Sequence, residues 1–283
     1  MKNFFVAWDN QADTAVLSTG SWGGTLDRLK DYRVQYLAKT TDAAEASTKF
    51  RFATASPVFI ALLGLFNTNA SVNAKHQWLL YTDATFTTVK YDTGVLDLYP
   101  MGTIPFGTIP WGAPNWWTGK PLPAEIALFQ RNIWHELSVW QYGQYGEFRL
   151  FDSANSAGFF TAGRFGCMQA FRPRHNAQYG AQLVAESRTD KAESEDGTPY
   201  SNVERARFSM PIAFPRLDFN EGMKALQLKV QADVHGECFC AWDTSDVAYH
   251  FQRSVFGRLA KLDGLAHPLF KVYESAFQVE GVL

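Results

Sequence analysis

Apolar and charged residues alternate one for one at several places in this chain, and only an extended strand can use that period to separate a buried face from a wet one. In Lys49-Phe50-Arg51-Phe52-Ala53 the two phenylalanines point one way and the charges the other. Glu147-Phe148-Arg149-Leu150-Phe151 and Arg205-Ala206-Arg207-Phe208-Ser209-Met210 repeat the pattern. Val58-Phe59-Ile60-Ala61-Leu62-Leu63 and Gln77-Trp78-Leu79-Leu80-Tyr81 are continuous apolar runs of strand length. Turn-rich clusters separate them, among them Asn67-Thr68-Asn69-Ala70-Ser71 and Asp152-Ser153-Ala154-Asn155-Ser156-Ala157-Gly158. Many short strands punctuated this way predict a sandwich. Aromatics, at 15% of residues, suit the pleated, half-buried surface of a sheet.

Helical signals are few. Asp218-Phe219-Asn220-Glu221 is an N-cap with Glu three residues on, and Met223, Leu226 and Val230 follow at helical spacing. Leu226, Leu228 and Val230 also alternate as a strand would; the cap favours a helix over 219–232. At 283 residues the chain has room for two domains.

Pro100 to Pro123 stands apart. It holds six of the twelve prolines, four glycines and three tryptophans, with an internal echo, Gly102-Thr103-Ile104-Pro105 and Gly107-Thr108-Ile109-Pro110. Proline donates no amide, so this is no central strand but a long loop with polyproline-like stretches. Exposing Trp111, Trp116 and Trp117 to water is costly, so they are expected to pack on their own domain, a neighbouring subunit or a ligand. Arg188 to Asn202 is polar and charged and reads as a mobile loop between two strands of the second half.

A net charge of −2 with scattered basic residues gives no footprint for nucleic acid. Three cysteines cannot build a disulfide framework, and together with an N-terminus lacking a signal-peptide pattern they predict folding in a reducing cytoplasm. The longest apolar run, Pro57 to Phe66, is about ten residues against the roughly twenty that cross a bilayer, so no membrane insertion is expected. No nucleophile elbow, phosphate loop or zinc-protease helix is present, and the chain is expected to be no enzyme and to need no cofactor. His235, Cys238 and Cys240 are the nearest approach to metal ligands, but they supply half a site at most, and no metal is expected. Acidic residues such as Asp83, Asp92, Asp97, Glu136 and Glu147 follow no spacing that singles out a catalytic pair.

One set of motifs, in order, resembles a known family. Leu17-Ser18-Thr19-Gly20-Ser21-Trp22 with Thr25-Leu26-Asp27-Arg28-Leu29 opens it, and Lys49-Phe50-Arg51-Phe52 is like its first long strand. Ile60-Ala61-Leu62-Leu63-Gly64-Leu65-Phe66-Asn67 follows, without the family's usual His and with Thr68 where a Leu is common. Tyr91-Asp92-Thr93-Gly94-Val95 comes next, and Tyr145 to Asp152 with Asn155, Gly158 and Gly163-Arg164-Phe165 closes it. These residues resemble the discoidin-like, galactose-binding-like jelly-roll modules of minor tail proteins of long-tailed bacteriophages. The resemblance implies a mainly β protein: an eight-stranded jelly-roll sandwich over 1–170 with an insertion at about 100–123, then a smaller β-rich domain over 171–283 with about one helix. The second domain more loosely resembles those that build rings in the distal tail. The implied function is structural, in the virion tail tip or upper baseplate. Copies of the chain, six or three to a ring, would join the tail tube to the hub and receptor-binding parts after synthesis in the host cytoplasm. The alternative is a carbohydrate-binding module that adsorbs to host surface glycan. Trp111, Trp116 and Trp117 are the interface or sugar-stacking candidates in either case.

Overall fold

The computed structural model describes residues 3–178, 181–194, 196, 199–202, 204 and 206–282. The chain is mainly β and antiparallel, and it divides into two compact units. One comprises Asn10–Ala170 and Thr244–Gln252; the other comprises Met1–Asp9, Phe171–Asp243 and Arg253–Leu283. Neither unit is one continuous stretch of the chain. The first strand, β1 (Phe5–Asn10), lies almost wholly in the second unit, and a nine-residue strap from the second half completes the first.

In the first unit the strands are β2 (Val16–Ser18), β3 (Ala38–Lys39), β4 (Phe50–Phe66), β5 (Lys75–Tyr81), β6 (Val89–Asp92), β7 (Leu96–Asp97), β8 (Ile133–Phe151), β9 (Thr161–Ala162) and β10 (Arg164–Phe171). Helices α1 (Glu45–Thr48) and α2 (Pro123–Ala127) are single turns. The main sheet runs β10-β4-β8-β5-β6. β4 is long enough to take β2 near its start and β10 near its end, with β8 along its other side. The expected strands at 49–53 and 58–63 are one strand. The chain accommodates Pro57 in a register shift between Ala53 and Val58, a bulge where a missing amide donor costs no ladder bond. Inward residues of this sheet close on Trp22, Leu29, Ala38 and Phe160 from the facing layer, which is built by the irregular segment before β4 and by the β3–β9 pair. Rings dominate the core: Trp78 and Phe148 lie 4.5 Å apart, Phe50 and Phe165 5.3 Å, and Trp22 stands edge-on to Phe50 and Phe160.

In the second unit the strands beyond β1 are β11 (Val184–Glu186), β12 (Asp190–Glu193), β13 (Pro199–Asn202), β14 (Arg207–Leu217), β15 (Glu237–Ala241), β16 (Ser254–Leu259), β17 (Ala266–Leu269) and β18 (Val272–Gly281). They order as β11-β14-β18-β16-β15-β1, with β17 folded back on β18. The expected strand from Arg205 begins at Arg207; Arg205 lies outside the described residues. The expected helix is α3 (Phe219–Ala232), capped reciprocally by Asp218 and Glu221 and packed on β18 through Gly222, whose missing Cβ leaves room for the Tyr273 ring. The segment read as a mobile loop forms a hairpin instead, β12 on β13, although Glu195, Gly197 and Thr198 lie outside the described residues.

Candidate functional site

The proline-tryptophan loop is ordered by its own repeat. In each copy of Pro-x-Gly-Thr-Ile the threonine hydroxyl donates to the carbonyl of the proline three residues before it, Thr103 to Pro100 at 2.7 Å and Thr108 to Pro105 at 2.8 Å. Each such turn then drops its isoleucine, Ile104 or Ile109, into the core. The returning half is tied to the outgoing half by Ile104 N–H to Gly119 O at 2.7 Å and by Gly102 N–H to Thr118 O at 3.2 Å, and is closed on itself by Asn115 Nδ2 to Lys120 O at 2.8 Å. Gly119 is at φ +59°, and a Cβ there would meet the Gly102 backbone at 2.8 Å, so only glycine lets the two halves approach this closely.

The strap fastens the loop from outside. Tyr249 donates its amide to Thr103 O at 2.7 Å and its hydroxyl lies 3.1 Å from the Thr108 hydroxyl, while Phe251 stands edge-on to Tyr99 and Phe129. Sequence reading missed this strap. Its contacts are made across some 140 residues, and nothing local in 244–252 announces them.

On this frame the three tryptophans part company. Trp116 is half-buried against the core, and Trp111 stands edge-on to it with ring centroids 4.9 Å apart. Trp111 itself is 82% exposed and Trp117 78%. Met101 and Phe106, which sequence reading did not single out, are exposed on the same loop. Lys120 and Asp97 approach within 3.8 Å at its foot. Indoles held in water on a pinned backbone leave apolar area to be covered by whatever binds, at about 25 cal/mol per Å² removed from water. The loop can stack against a flat apolar face, and what it offers is binding.

The remaining sequence candidates are dispersed. Cys238 and Cys240, alternating on β15, both turn into the core of the second unit. Burial pushes the Cys238 thiol up to about 12 and that of Cys240 well above its ordinary value. His235 is exposed beside Asp233, so imidazole and thiols do not converge, and no group of three potential metal ligands occurs among the described residues. Each acidic residue considered as a catalytic acid has another task. Asp83 closes its own turn through Thr85, Thr87 and Thr88, Asp92 accepts from Gln77 and Gly94, and Glu136 accepts from Thr244. Asp97 faces Lys75 and Lys120. Glu147, 1% exposed, sits between Arg51 at 2.5 Å and Arg149 at 2.6 Å. Burial pushes its carboxyl up, but the hydrogen bonds from the two guanidiniums outweigh that and hold it below its usual range.

No protein-family profile matches the chain, and no curated protein matches it. Solved structures give three weak likenesses. CBM32-6, a carbohydrate-binding module of a GH89 protein produced by Clostridium perfringens, aligns with a TM-score of 0.36 and 13% identity over 58% of this chain and 99% of that one. CBM32-1 from a family 31 glycoside hydrolase of the same organism gives 0.35 and 11% over 57% and 99%. A fucolectin from striped bass (Morone saxatilis) serum gives 0.35 and 11% over 97% and 90%. With values this low, the fold description stands on the strand pairing and the core given above.

Proposed function

We propose that this chain is a non-catalytic binding protein whose first unit takes carbohydrate on the proline-tryptophan loop. One observation carries the reading: Trp111 and Trp117 are held in water, about four-fifths exposed, by a loop whose backbone is fixed by its own turns and by the strap. Rigid, flat aromatic surfaces of this kind bind with little loss of side-chain entropy, and sugar rings present matching apolar faces.

A second reading, assembly into a bacteriophage tail tip, is favoured by a different observation in the other unit. Helix α3 buries Gly222, Ala225, Leu228 and Ala232, yet Phe219, Met223, Leu226 and Val230 form a second, exposed apolar stripe, and the β17–β18 turn exposes Leu269 and Phe270. Such patches suit protein contacts. In that reading copies of the chain form rings of three or six in the virion tail, between the tail tube and the hub.

One preparation tests both. Titrating the purified protein with host-envelope oligosaccharides should quench or shift tryptophan fluorescence, and the Trp111→Ala/Trp117→Ala variant should lose binding at least tenfold (about 1.4 kcal/mol or more) with an unchanged melting curve. A flat response across the glycans would sink the carbohydrate reading. Light scattering on the same sample supports assembly if it returns three or six chain masses.

A further inference from the structure

The second unit holds a cavity of about 380 Å³ that the tryptophan loop has no part in. Its floor is a stretch of the β14–β18 ladder, Pro211–Ala213 opposite Ala276–Gln278, paired Pro211 with Gln278, Ile212 with Phe277 and Ala213 with Ala276. Proline and alanine here leave space that larger side chains would fill. One wall carries Gln178, Ala181 and Gln182; the other carries Lys261 and Asp263.

Both walls are pinned. Gln178 donates its amide to Ala213 O at 2.8 Å. Pro211 has no N–H to donate, and the Gln278 carbonyl accepts from the Ala260 amide at 2.8 Å, which anchors the second wall. Buried Lys229 of α3 reaches the Asp263 carbonyl at 2.6 Å with its ammonium over the Phe277 ring, which anchors it again. The cavity is therefore present before any ligand arrives, which lowers the cost of binding.

Its chemistry narrows the occupant. Three glutamines, whose side-chain amides both donate and accept, line the space, and its two charges, Lys261 and Asp263, neutralise one another at 3.2 Å. An ionised ligand would find no uncompensated partner. Beside the floor the outward backbone groups are already engaged, Ala213 O by the Gln178 backbone N–H and Gln278 O by the Ala260 N–H, and Pro211 has no N–H, so an extended peptide finds no continuous edge to pair with. Phe277, the one aromatic lining residue, is 2% exposed and covered by Lys229, so a flat base has nothing to stack on. We propose that this cavity is a second binding site, for a neutral, hydroxyl-rich ligand of the size of one or two sugar rings. It is independent of the tryptophan-loop reading.

The test is a titration of the full chain with N-acetylglucosamine and with galactose, followed by the side-chain amide signals in ¹H–¹⁵N spectra. Using the Trp111→Ala/Trp117→Ala background removes the loop from the measurement. Saturable shifts of the Gln178, Gln182 and Gln278 amides are expected. Ala276→Leu, which fills the floor, should weaken binding about tenfold or more, and the exposed Gln182→Ala should weaken it several-fold while the fold stays intact. If Ala276→Leu does not fold, Gln182→Ala decides. No saturable shift up to about 100 mM sugar, binding untouched in the variants, or equal binding of gluconate or glucosamine would each overturn the proposal.

Discussion

His76 lies on β5 facing the core beside Trp78 and Leu80, and neither of its ring nitrogens has a hydrogen-bond partner among the described residues. Burial, reinforced by His135 and His250 nearby, pushes its pKa from the ordinary 6.5 down to about 3. The unfolded chain therefore binds a proton that the folded one refuses. Above pH 6.5 its titration costs nothing; between about 6.5 and 3 stability falls as pH falls, by at most about 5 kcal/mol at 1.36 kcal/mol per unit. His76→Leu should flatten that acid-side loss, read as urea midpoints at pH 7.5 and pH 4.5. A variant that keeps the full wild-type loss would show that another group is responsible.

Among the elements, α3 shows how local signals compete. Leu226, Leu228 and Val230 alternate as in a strand, but the reciprocal cap of Asp218 and Glu221 satisfies the first amides of a helix, and the helix forms over 219–232. Asp218→Ala should cost about 1 kcal/mol in a thermal melt of the second unit, with no change in the first; an unshifted melt would mean that packing on β18 alone decides the helix. The same sequence reading found the segments of β4, β5 and the end of β8, the alternating stretches because one side is buried and the continuous apolar runs because both sides are. It missed the hairpin β12–β13, whose polar residues carry no inward-outward contrast for a period-two pattern to register. In the candidate site, the tryptophans and the threonine-proline echo were visible as composition and repeat. Which indole is buried was not, because burial of Trp116 depends on neighbours far along the chain.

For the whole molecule, the second unit draws on both ends of the chain. β1 pairs with β15 through Phe5–Ala7 and Phe239–Ala241, and Phe4 and Val6 belong to the core of the second unit. A fragment of 171–283 should therefore fail to fold cooperatively, whereas residues 1–9 joined through a flexible linker to 171–283 should restore a sharp transition by circular dichroism. A 171–283 fragment that melts as cooperatively as the linked form would refute this. Interleaving of this sort is invisible to a reading that moves along the sequence, since it is carried by pairings between distant segments.

The strap Thr244–Gln252 also sets a timetable for synthesis. On a ribosome the proline-tryptophan loop emerges well before the tyrosine that fastens it. At about 5–20 residues per second, some seven to thirty seconds pass before Tyr249 can reach Thr103 and Thr108. Through that interval the nascent chain carries unfastened indoles, together with a first strand whose β15 partner is not made until residues 237–241, and chaperones have their longest opportunity to act on it.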